Sequence, residues 1–357
     1  MAGYRLTMGS WVPITMLMCC FIYGGILLTT NSPRPLSSSS RSDAPRHRSH
    51  RGGYSAYKAP GDQSVYNRTL GFGEVFYLSL PSRTDRQDAV ELLAAYSNVS
   101  VTYVPGVDGN SIVEKAKPTK SQVTVAELGT WRAHANIWKK VMHSTEYEAA
   151  LILEDDIDWD DNFAPILERL TKHLPKAGSS PPYGHEAWDV LWLGACLHTV
   201  KPESGGQKAK VIRYDDPMAP NRSEMREYDR KYFDEHPELG GPYKDSGERV
   251  IHEAYQPVCT MAYAVTKKGA QRLLYHIGYR QLDGPVDLAM AWATSAGRIK
   301  GWIVWPPLIT AWRLGGPKDS DIQKSNSPSK GNDDGHSDGI KKSARKAMAA
   351  HFMTPRN

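Results

Sequence analysis

Between about residue 70 and residue 317, segments with the pattern of a β-strand alternate with segments typical of an α-helix. Such alternation is characteristic of an α/β domain, in which helices cover a sheet. The clearest helix is predicted over 124–142, because Thr124-x-x-Glu127 forms a capping box and one apolar stripe follows it. Strands are predicted at 74–80, 149–153, 190–193, 261–266 and 303–305, and further helices at 85–96 and 268–276. The pattern therefore predicts one α/β domain over residues 69–317, followed by a polar, mobile tail over 318–357.

The charge of the chain is concentrated in one short segment. The formal net charge is +5, and residues 31–60 contain six basic residues and one acidic residue, which account for the whole excess. A nearly neutral body lacks the broad basic face that nucleic-acid binding requires. Four cysteines in 357 residues also exclude a small scaffold held by disulfides. The composition therefore indicates a globular protein with no nucleic-acid partner.

The N-terminal region has the layout of a membrane anchor and a stem. Residues 11–28 carry no charge and approach the length that crosses a bilayer as a helix. We therefore predict a signal anchor over 11–30, a short cytoplasmic tail over 1–10 and a flexible basic stem over 31–68. The flanking arginines favour the opposite insertion, but long segments cross a membrane largely regardless of charge. The prediction is a single-pass type II protein of the Golgi or ER membrane.

Two further features bear on a lumenal location. Three Asn-x-Ser/Thr sequons, which begin at Asn67, Asn98 and Asn221, give mild support to it. Cys196 and Cys259 are the only cysteines after the apolar run. In an oxidising compartment they form a disulfide, and otherwise they remain as two buried thiols.

The most informative segment is Leu151–Asp156, in which an apolar strand ends abruptly in three carboxylates. Ligands of open α/β sheets bind beyond the carboxyl ends of the strands. Strand alternation sends Glu154 and Asp156 to one side and Asp155 to the other. A divalent cation relieves the repulsion between such acids, and oxygen ligands suit Mg²⁺ or Mn²⁺. The segment predicts a metal site that can hold a diphosphate. The alternative is that the three acids are solvent-exposed residues at the point where the strand passes into a loop.

Four motifs in order resemble those of glycosyltransferase family 25, which includes bacterial lipopolysaccharide sugar transferases and collagen β-galactosyltransferases. The motifs are Tyr77–Arg86, Val104–Gly109, Glu127–His134 and Leu151–Asp156. They differ from the family pattern at three positions, where Ser79, Thr130 and Ala133 replace the usual Asn, Cys and Ser. The anchor and stem resemble those of a fungal Golgi member.

The resemblance implies a GT-A-like fold, that is, a mixed sheet flanked by helices, and a nucleotide-sugar donor, with UDP-galactose or UDP-glucose favoured. It implies transfer of a hexose with inversion to a hydroxyl of a glycan, glycoprotein or glycolipid. By this resemblance Asp156 binds Mn²⁺ (or Mg²⁺), Glu154 binds the ribose or the metal, and Asp155 supports the donor site from the other face.

The same resemblance suggests the remaining site residues. Inversion requires a base for the acceptor hydroxyl, and the candidate is Asp287, with Asp283 as the fallback. The alternative for Asp287 is a first-turn acid that favours the helix dipole. Arg83 and Arg86 are predicted to bind the donor nucleotide, although either could be a surface charge on a turn. His134 either lines the donor site or is a buried histidine with satisfied hydrogen bonds.

Several other residues are weaker candidates. Trp302, Trp305 and Trp312 line an acceptor cleft or pack in the core. His336 is a possible further metal ligand, and Glu127 is interpreted as the capping-box acid. Two other functions remain open at this point: a membrane-tethered glycan-binding protein without turnover, and a metal-dependent phosphotransferase or nuclease.

Overall fold

The computed structural model describes residues 64–118, 123–175, 181–203, 208–239, 243, 247–280, 282–314, 321 and 335–354. The predicted cytoplasmic tail, the anchor and nearly all of the stem therefore lie outside the described residues. Within the described ranges, no helix is long and apolar enough to cross a membrane.

The described residues form the strands and helices of a mixed α/β fold. The strands are β1 (Glu74–Ser79), β2 (Thr102–Pro105), β3 (Ala149–Leu153), β4 (Ile157–Trp159), β5 (Val190–Gly194), β6 (Leu197–Thr199), β7 (Val211–Asp215), β8 (Glu248–Glu253), β9 (Tyr255–Val258), β10 (Ala262–Thr266), β11 (Gly301–Trp305) and β12 (Ile309–Ala311). The helices are α1 (Thr84–Tyr96), α2 (Val125–His143), α3 (Phe163–His173), α4 (Glu227–Glu235), α5 (Lys267–Leu273), α6 (Val286–Ser295) and α7 (Ala344–Met353). A π-helical turn, Leu274–Arg280, continues α5.

Eight of these strands form one mixed sheet in the order β2-β1-β3-β10-β5-β11-β8-β7. Strand β3 runs parallel to β1 and antiparallel to β10, with Leu153 opposite Ala262. The end of β3 therefore lies beside the beginning of β10, and chain that enters β10 can contact chain that leaves β3. A large mixed sheet flanked by helices confirms the α/β class that the sequence predicts.

The sheet divides the core into two layers. Along β3, Ile152 packs in the layer that contains α2, whereas Leu151 and Leu153 pack in the layer that contains α1 and α3. Alternation of side chains along the strand produces this division. Continued for two more residues, the alternation directs Glu154 toward α2 and Asp155 toward α1.

Helix α2 begins at the predicted capping box and is held close to the preceding loop. The hydroxyl of Thr124 accepts from the backbone N–H of Glu127, and the Glu127 carboxylate accepts from the backbone N–H of Thr124. A Cβ on Gly129 would lie 2.2 Å from the carbonyl oxygen of Val107, and a Cβ on Gly109 would lie 1.8 Å from that of Val125. Only a glycine fits where the two backbones come this close. This explains Gly109 in the Val104–Gly109 motif and Gly129 in the Glu127–His134 motif.

The C-terminal segment differs from the mobile tail that was predicted from its polar composition. Residues 335–354 are described and include α7. Buried Asp158 accepts from the hydroxyls of Ser337 and Ser343 at 2.7 and 2.5 Å and from the backbone N–H of Arg345 at 3.1 Å. Lys342 donates its backbone N–H to buried Asp160 at 2.8 Å. This segment is held in place by polar groups that donate hydrogen bonds to buried carboxylates. It can therefore pack against the domain without a periodic pattern of apolar residues.

The start of the domain also differs slightly from the predicted boundary at residue 69. Val65, in the predicted stem, is buried in the layer that contains α1 and α3. The hydroxyl of Tyr66 donates to Glu168 on α3 at 2.8 Å. The packed domain therefore includes the last residues of the predicted stem.

Candidate active site

Glu154 extends β3 by one residue and turns its carboxylate toward the chain that enters β10. Its backbone N–H donates to the carbonyl of Met261 at 3.0 Å, and the hydroxyl of Thr260 donates to its Oε1 at 2.5 Å. Burial, and then the negative charge of Asp156, raise the pKa of Glu154 well above its usual range. The surroundings of Glu154 therefore stabilise its negative charge poorly.

His134 lies on α2 and is completely buried beside Glu154. Its Nε2 is 3.9 Å from Oε1 of Glu154, and its Nδ1 is 2.9 Å from the hydroxyl of Tyr263 on β10. Burial lowers the pKa of His134 to about 3, so the imidazole is neutral at neutral pH. His134 is therefore buried, as one alternative has it, but only Nδ1 has a hydrogen-bond partner among the described residues, and its role at the donor site stays a prediction.

Asp155 points to the opposite face, as strand alternation predicts. The Nη1 of Arg86, on α1, lies 2.7 Å from Oδ1 of Asp155 and 3.9 Å from Oδ2 of Asp156. Burial raises the pKa of Asp155, although hydrogen bonds from Ser79 and the charge of Arg86 oppose the rise. Serine at position 79, where the family pattern has Asn, therefore still supports the acidic motif.

Arg83 lies at the edge of this group rather than within it. Its guanidinium pairs with Asp85 at 2.8 Å and with Asp321 at 2.6 Å. The same Asp321 oxygen is 3.9 Å from Nη1 of Arg86. Arg86 therefore contacts the acidic motif directly. Arg83 is linked to it only through Asp321, which lies near both guanidinium groups.

Asp156 contacts a residue that the sequence analysis missed. Strand β4 pairs with β12, with Ile157 opposite Ala311, and the backbone N–H of Trp312 donates to the carbonyl of Asp156 at 2.7 Å. The Nη1 of the next residue, Arg313, lies 3.3 Å from Oδ2 of Asp156. The position of Arg313 depends on the pairing of two three-residue strands, which no sequence period indicates.

Asp287 is brought to the same site by the first turn of α6. Its Oδ2 accepts from the backbone N–H of Cys259 at 3.2 Å, and its Oδ1 accepts from that of Leu288 at 2.8 Å. The charge of Asp287 also contributes to the raised pKa of Glu154. Asp283, the fallback candidate, is exposed.

A disulfide joins Cys196 to Cys259, which resolves the alternative that the sequence left open. The backbone N–H of Cys196 also donates to the carbonyl of Val258 at 3.0 Å. These links fix the turn between β9 and β10, and Cys259 itself adopts a φ of 70°. The turn presents both Thr260 to Glu154 and the N–H of Cys259 to Asp287, so it connects the two carboxylates.

The donor set at Glu154 and Asp156 fits Mn²⁺ or Mg²⁺. Hard cations of this kind bind proteins through one or two carboxylates and take their other oxygens from water and substrate phosphates. Across the described ranges, no group of three or more His, Cys, Asp or Glu side chains is placed to hold a metal.

Of the weaker candidates, Trp302 and Trp305 lie in the core, whereas Trp312 and His336 lie beside the acidic motif. Trp302 and Trp305 are 3% and 0% exposed, so they belong to the core. Trp312 is partly exposed, with the guanidinium of Arg345 5.6 Å from its ring. The backbone of His336 pairs with that of Arg313, and its Nε2 lies 3.9 Å from Asp338. His336 is therefore near the site but is not part of a three-residue metal cluster.

Comparison with protein-family models identifies the class. The model of glycosyltransferase family 25 (LPS biosynthesis protein) matches residues 72–290, which contain β3, the acidic motif and Asp287. The chain therefore belongs to glycosyltransferase family 25.

Several curated relatives are similar over part of their length. Procollagen galactosyltransferase 2 of Mus musculus is 23% identical over 223 residues, which are 58% of this chain and 28% of that protein. Inactive glycosyltransferase 25 family member 3 of Homo sapiens is 28% identical over 139 residues, which are 35% and 22% of the two chains. A glycosyltransferase 25 family member of Anopheles gambiae is 22% identical over 219 residues, which are 57% and 29%. The matches thus cover less than a third of each relative, and the fungal source stays a prediction.

Proposed function

We propose that this glycosyltransferase is metal-dependent and transfers a hexose, with inversion, from a UDP-sugar to a hydroxyl of a glycan, glycoprotein or glycolipid. UDP-galactose and UDP-glucose are the favoured donors. One observation carries the proposal: acidic and basic side chains lie together at the carboxyl end of β3. Arg86 and Arg313 lie 3.9 and 3.3 Å from Asp156. The charges of Asp156 and Asp287 both act on Glu154. Anionic groups that need a cation thus adjoin guanidinium groups that suit a diphosphate.

In this proposal, Glu154 and Asp156 hold Mn²⁺ or Mg²⁺. When bound, the ion supplies positive charge that stabilises the departing nucleoside diphosphate. The other residues act on the organic substrate. Arg86 and Arg313 bind diphosphate oxygens, because a planar guanidinium donates two parallel hydrogen bonds to such groups.

Asp287 is the proposed base. As the acceptor oxygen forms its bond to the anomeric carbon, the bond from that carbon to the diphosphate oxygen breaks, and the acceptor proton passes to Asp287. The N–H of Cys259 holds one oxygen of this carboxylate at 3.2 Å. A held carboxylate is already oriented before the acceptor arrives, which reduces the entropic cost of the reaction.

We also propose that the catalytic domain lies in the lumen of the Golgi or ER, tethered by the apolar segment 11–30. The Cys196–Cys259 disulfide supports this location, because such bonds persist in oxidising compartments. The three sequons add to the support, because N-glycosylation acceptors are a feature of secretory proteins.

Sugar binding without turnover is a second candidate function. It is favoured by the relatives named inactive family members in Homo sapiens and Mus musculus, which are 28% and 29% identical over 139 residues. Those matches cover only 35% of this chain. The two candidates differ in one respect that is simple to measure, namely the release of nucleoside diphosphate.

The test is to incubate the protein with a panel of UDP- and GDP-sugars and Mn²⁺, with and without EDTA, and to measure nucleoside diphosphate release. We expect release from a UDP-hexose that EDTA abolishes and that Asp156→Asn removes. Asp161→Asn is the matched control, because Asp161 is an exposed acid that lies outside the Leu151–Asp156 motif but close to it in the sequence. Binding of a sugar nucleotide with no release would support the second candidate, and release that survives both EDTA and Asp156→Asn would reject the metal role.

A further inference from the structure

Trp138, Tyr263 and His134 form a chain of buried polar side chains that ends at Glu154. Nε1 of Trp138 donates to the hydroxyl oxygen of Tyr263 at 2.8 Å, and the same hydroxyl lies 2.9 Å from Nδ1 of His134. An indole N–H can only donate. The Tyr263 oxygen therefore accepts from Trp138, and its own proton is available for Nδ1 of His134.

The direction of this hydrogen bond determines which nitrogen of His134 carries the hydrogen. A neutral imidazole has one donor nitrogen and one acceptor nitrogen. In the tautomer in which Nδ1 accepts from the Tyr263 hydroxyl, the hydrogen lies on Nε2, which is the nitrogen that faces Glu154. The hydrogen-bond partner of one nitrogen thus fixes the role of the other.

Nε2 of His134 is buried and, among the residues that the structure describes, has no hydrogen-bond partner. The Oε1 atom of Glu154 lies 3.9 Å away. A buried donor without a partner is costly, and a movement of about 1 Å would bring this pair to hydrogen-bond distance.

We propose that His134 is a positioning residue for Glu154, and that its Nε2–H donates to Oε1 of Glu154 when the sugar nucleotide is bound. Thr260 already donates to the same oxygen from the chain that enters β10. Two donors on Oε1 fix the plane of the carboxylate and direct Oε2 to the ligand. The inference rests on the proposed function, because that function assigns Glu154 to ligand binding.

The first test compares two substitutions with each other. His134→Gln keeps an N–H donor near the position of Nε2, whereas His134→Leu fills the space without a donor. We expect His134→Leu to lower kcat about 10- to 100-fold, the usual cost of losing a supporting hydrogen bond, and His134→Gln to recover most of it. Thermal unfolding of both variants separates this loss from a loss of folded protein. Equal losses in two folded variants, or wild-type kcat in His134→Leu, would overturn the proposal.

The second test reads the hydrogen directly and needs no turnover. Protein labelled with ¹⁵N-histidine is studied by long-range ¹H–¹⁵N correlation, with the His134 signal assigned by its absence in His134→Gln. We expect the Nε2–H tautomer in the wild type, and a mixture of tautomers in Tyr263→Phe, which lacks the hydroxyl donor. An Nδ1–H tautomer in an active wild-type enzyme would overturn the inference alone, whereas an Nε2–H tautomer without turnover of any sugar nucleotide would overturn the proposed function.

Discussion

The Nη1 atom of Arg313 lies 3.3 Å from Oδ2 of Asp156, so a guanidinium group contacts a carboxylate that is proposed to bind a divalent metal ion. Arg313 is 41% exposed, and it can therefore turn from Asp156 to a diphosphate when donor and metal bind. We predict that Arg313→Gln weakens UDP binding in the presence of Mn²⁺ by about 10- to 100-fold, the value of one charge-assisted hydrogen bond. Isothermal titration calorimetry measures this change. Unaltered affinity would restrict Arg313 to an ion pair with Asp156.

Asp287→Asn separates the proposed base from a residue that only caps α6. The amide retains a carbonyl oxygen for the N–H of Cys259 but cannot take a proton from the acceptor. We predict that kcat falls about 100- to 10,000-fold, the usual contribution of general base catalysis, with little change in donor KM. Asp283→Asn is the matched control, because Asp283 is an exposed acid close to the same helix. Near-normal transfer by Asp287→Asn would remove this residue from the mechanism.

The buried histidines predict how stability depends on pH. Burial lowers the pKa of His252 to about 4, and it lowers the pKa of His198 well below its ordinary value. In the unfolded chain a histidine takes up a proton at about pH 6.5. Each of these histidines therefore binds more protons in the unfolded chain than in the folded protein as the pH falls from about 6.5 toward 4, and the stability that each contributes is lost through that window. The slope is at most about 1.4 kcal/mol per pH unit for each histidine.

Urea unfolding between pH 7.5 and pH 4.5 measures this dependence. His252→Gln is expected to flatten it, because glutamine does not take up a proton. His143→Gln is the matched control, since His143 is exposed at the end of α2 and should leave the slope unchanged. Equal slopes in the wild type and in His252→Gln would contradict the prediction.

Removal of the Cys196–Cys259 disulfide is expected to affect both stability and turnover. The bond closes a loop with a sequence separation of 63 residues, and loss of such a bond costs about 2–4 kcal/mol. It also fixes the turn that carries Thr260 and the N–H of Cys259, so we predict a lower kcat in the Cys196→Ala/Cys259→Ala variant. Urea unfolding and donor turnover measure the two effects, and wild-type protein in dithiothreitol should behave like the variant. The prediction fails if oxidised wild type and variant unfold at the same urea concentration.

The sequence predicted the centre of the fold because its signals there are local. Strand β3 spans the predicted residues 149–153, and α2 begins at the predicted capping box. Each prediction depends on residues that are close together in the sequence. For β3 the signal is an unbroken apolar run, and for α2 it is a capping box followed by an apolar stripe. Glu154 and Asp155 could be assigned to opposite faces for the same reason.

Other parts of the fold depend on contacts between distant residues. Strand β8 was not predicted, because it begins with two charged residues, Glu248 and Arg249. Both of these are buried: the Nε of Arg249 lies 2.6 Å from Asp216, and Glu248 pairs with Arg213 on β7. Burial of these charges is tolerated because each has an opposite partner. A pattern of apolar residues cannot indicate such pairs.

The C-terminal segment and Arg313 were missed for a related reason. Asp158 is buried and accepts hydrogen bonds from Ser337 and Ser343. These partners lie 179 and 185 residues away in the sequence. Arg313 similarly reaches Asp156 only through the pairing of β4 with β12. Spacing along the chain carries no information about either contact.

The most direct test of the account is a crystal structure of the protein with UDP and Mn²⁺, with anomalous scattering used to locate the manganese. We predict an anomalous peak at the carboxyl end of β3, bound by Asp156 and by diphosphate oxygens, with Glu154 in the metal shell or on the ribose. Asp156→Asn crystals treated in the same way should lack the peak. UDP bound away from β3, or bound at β3 with no manganese at Asp156, would contradict the proposal that this acidic motif holds a metal and a diphosphate together.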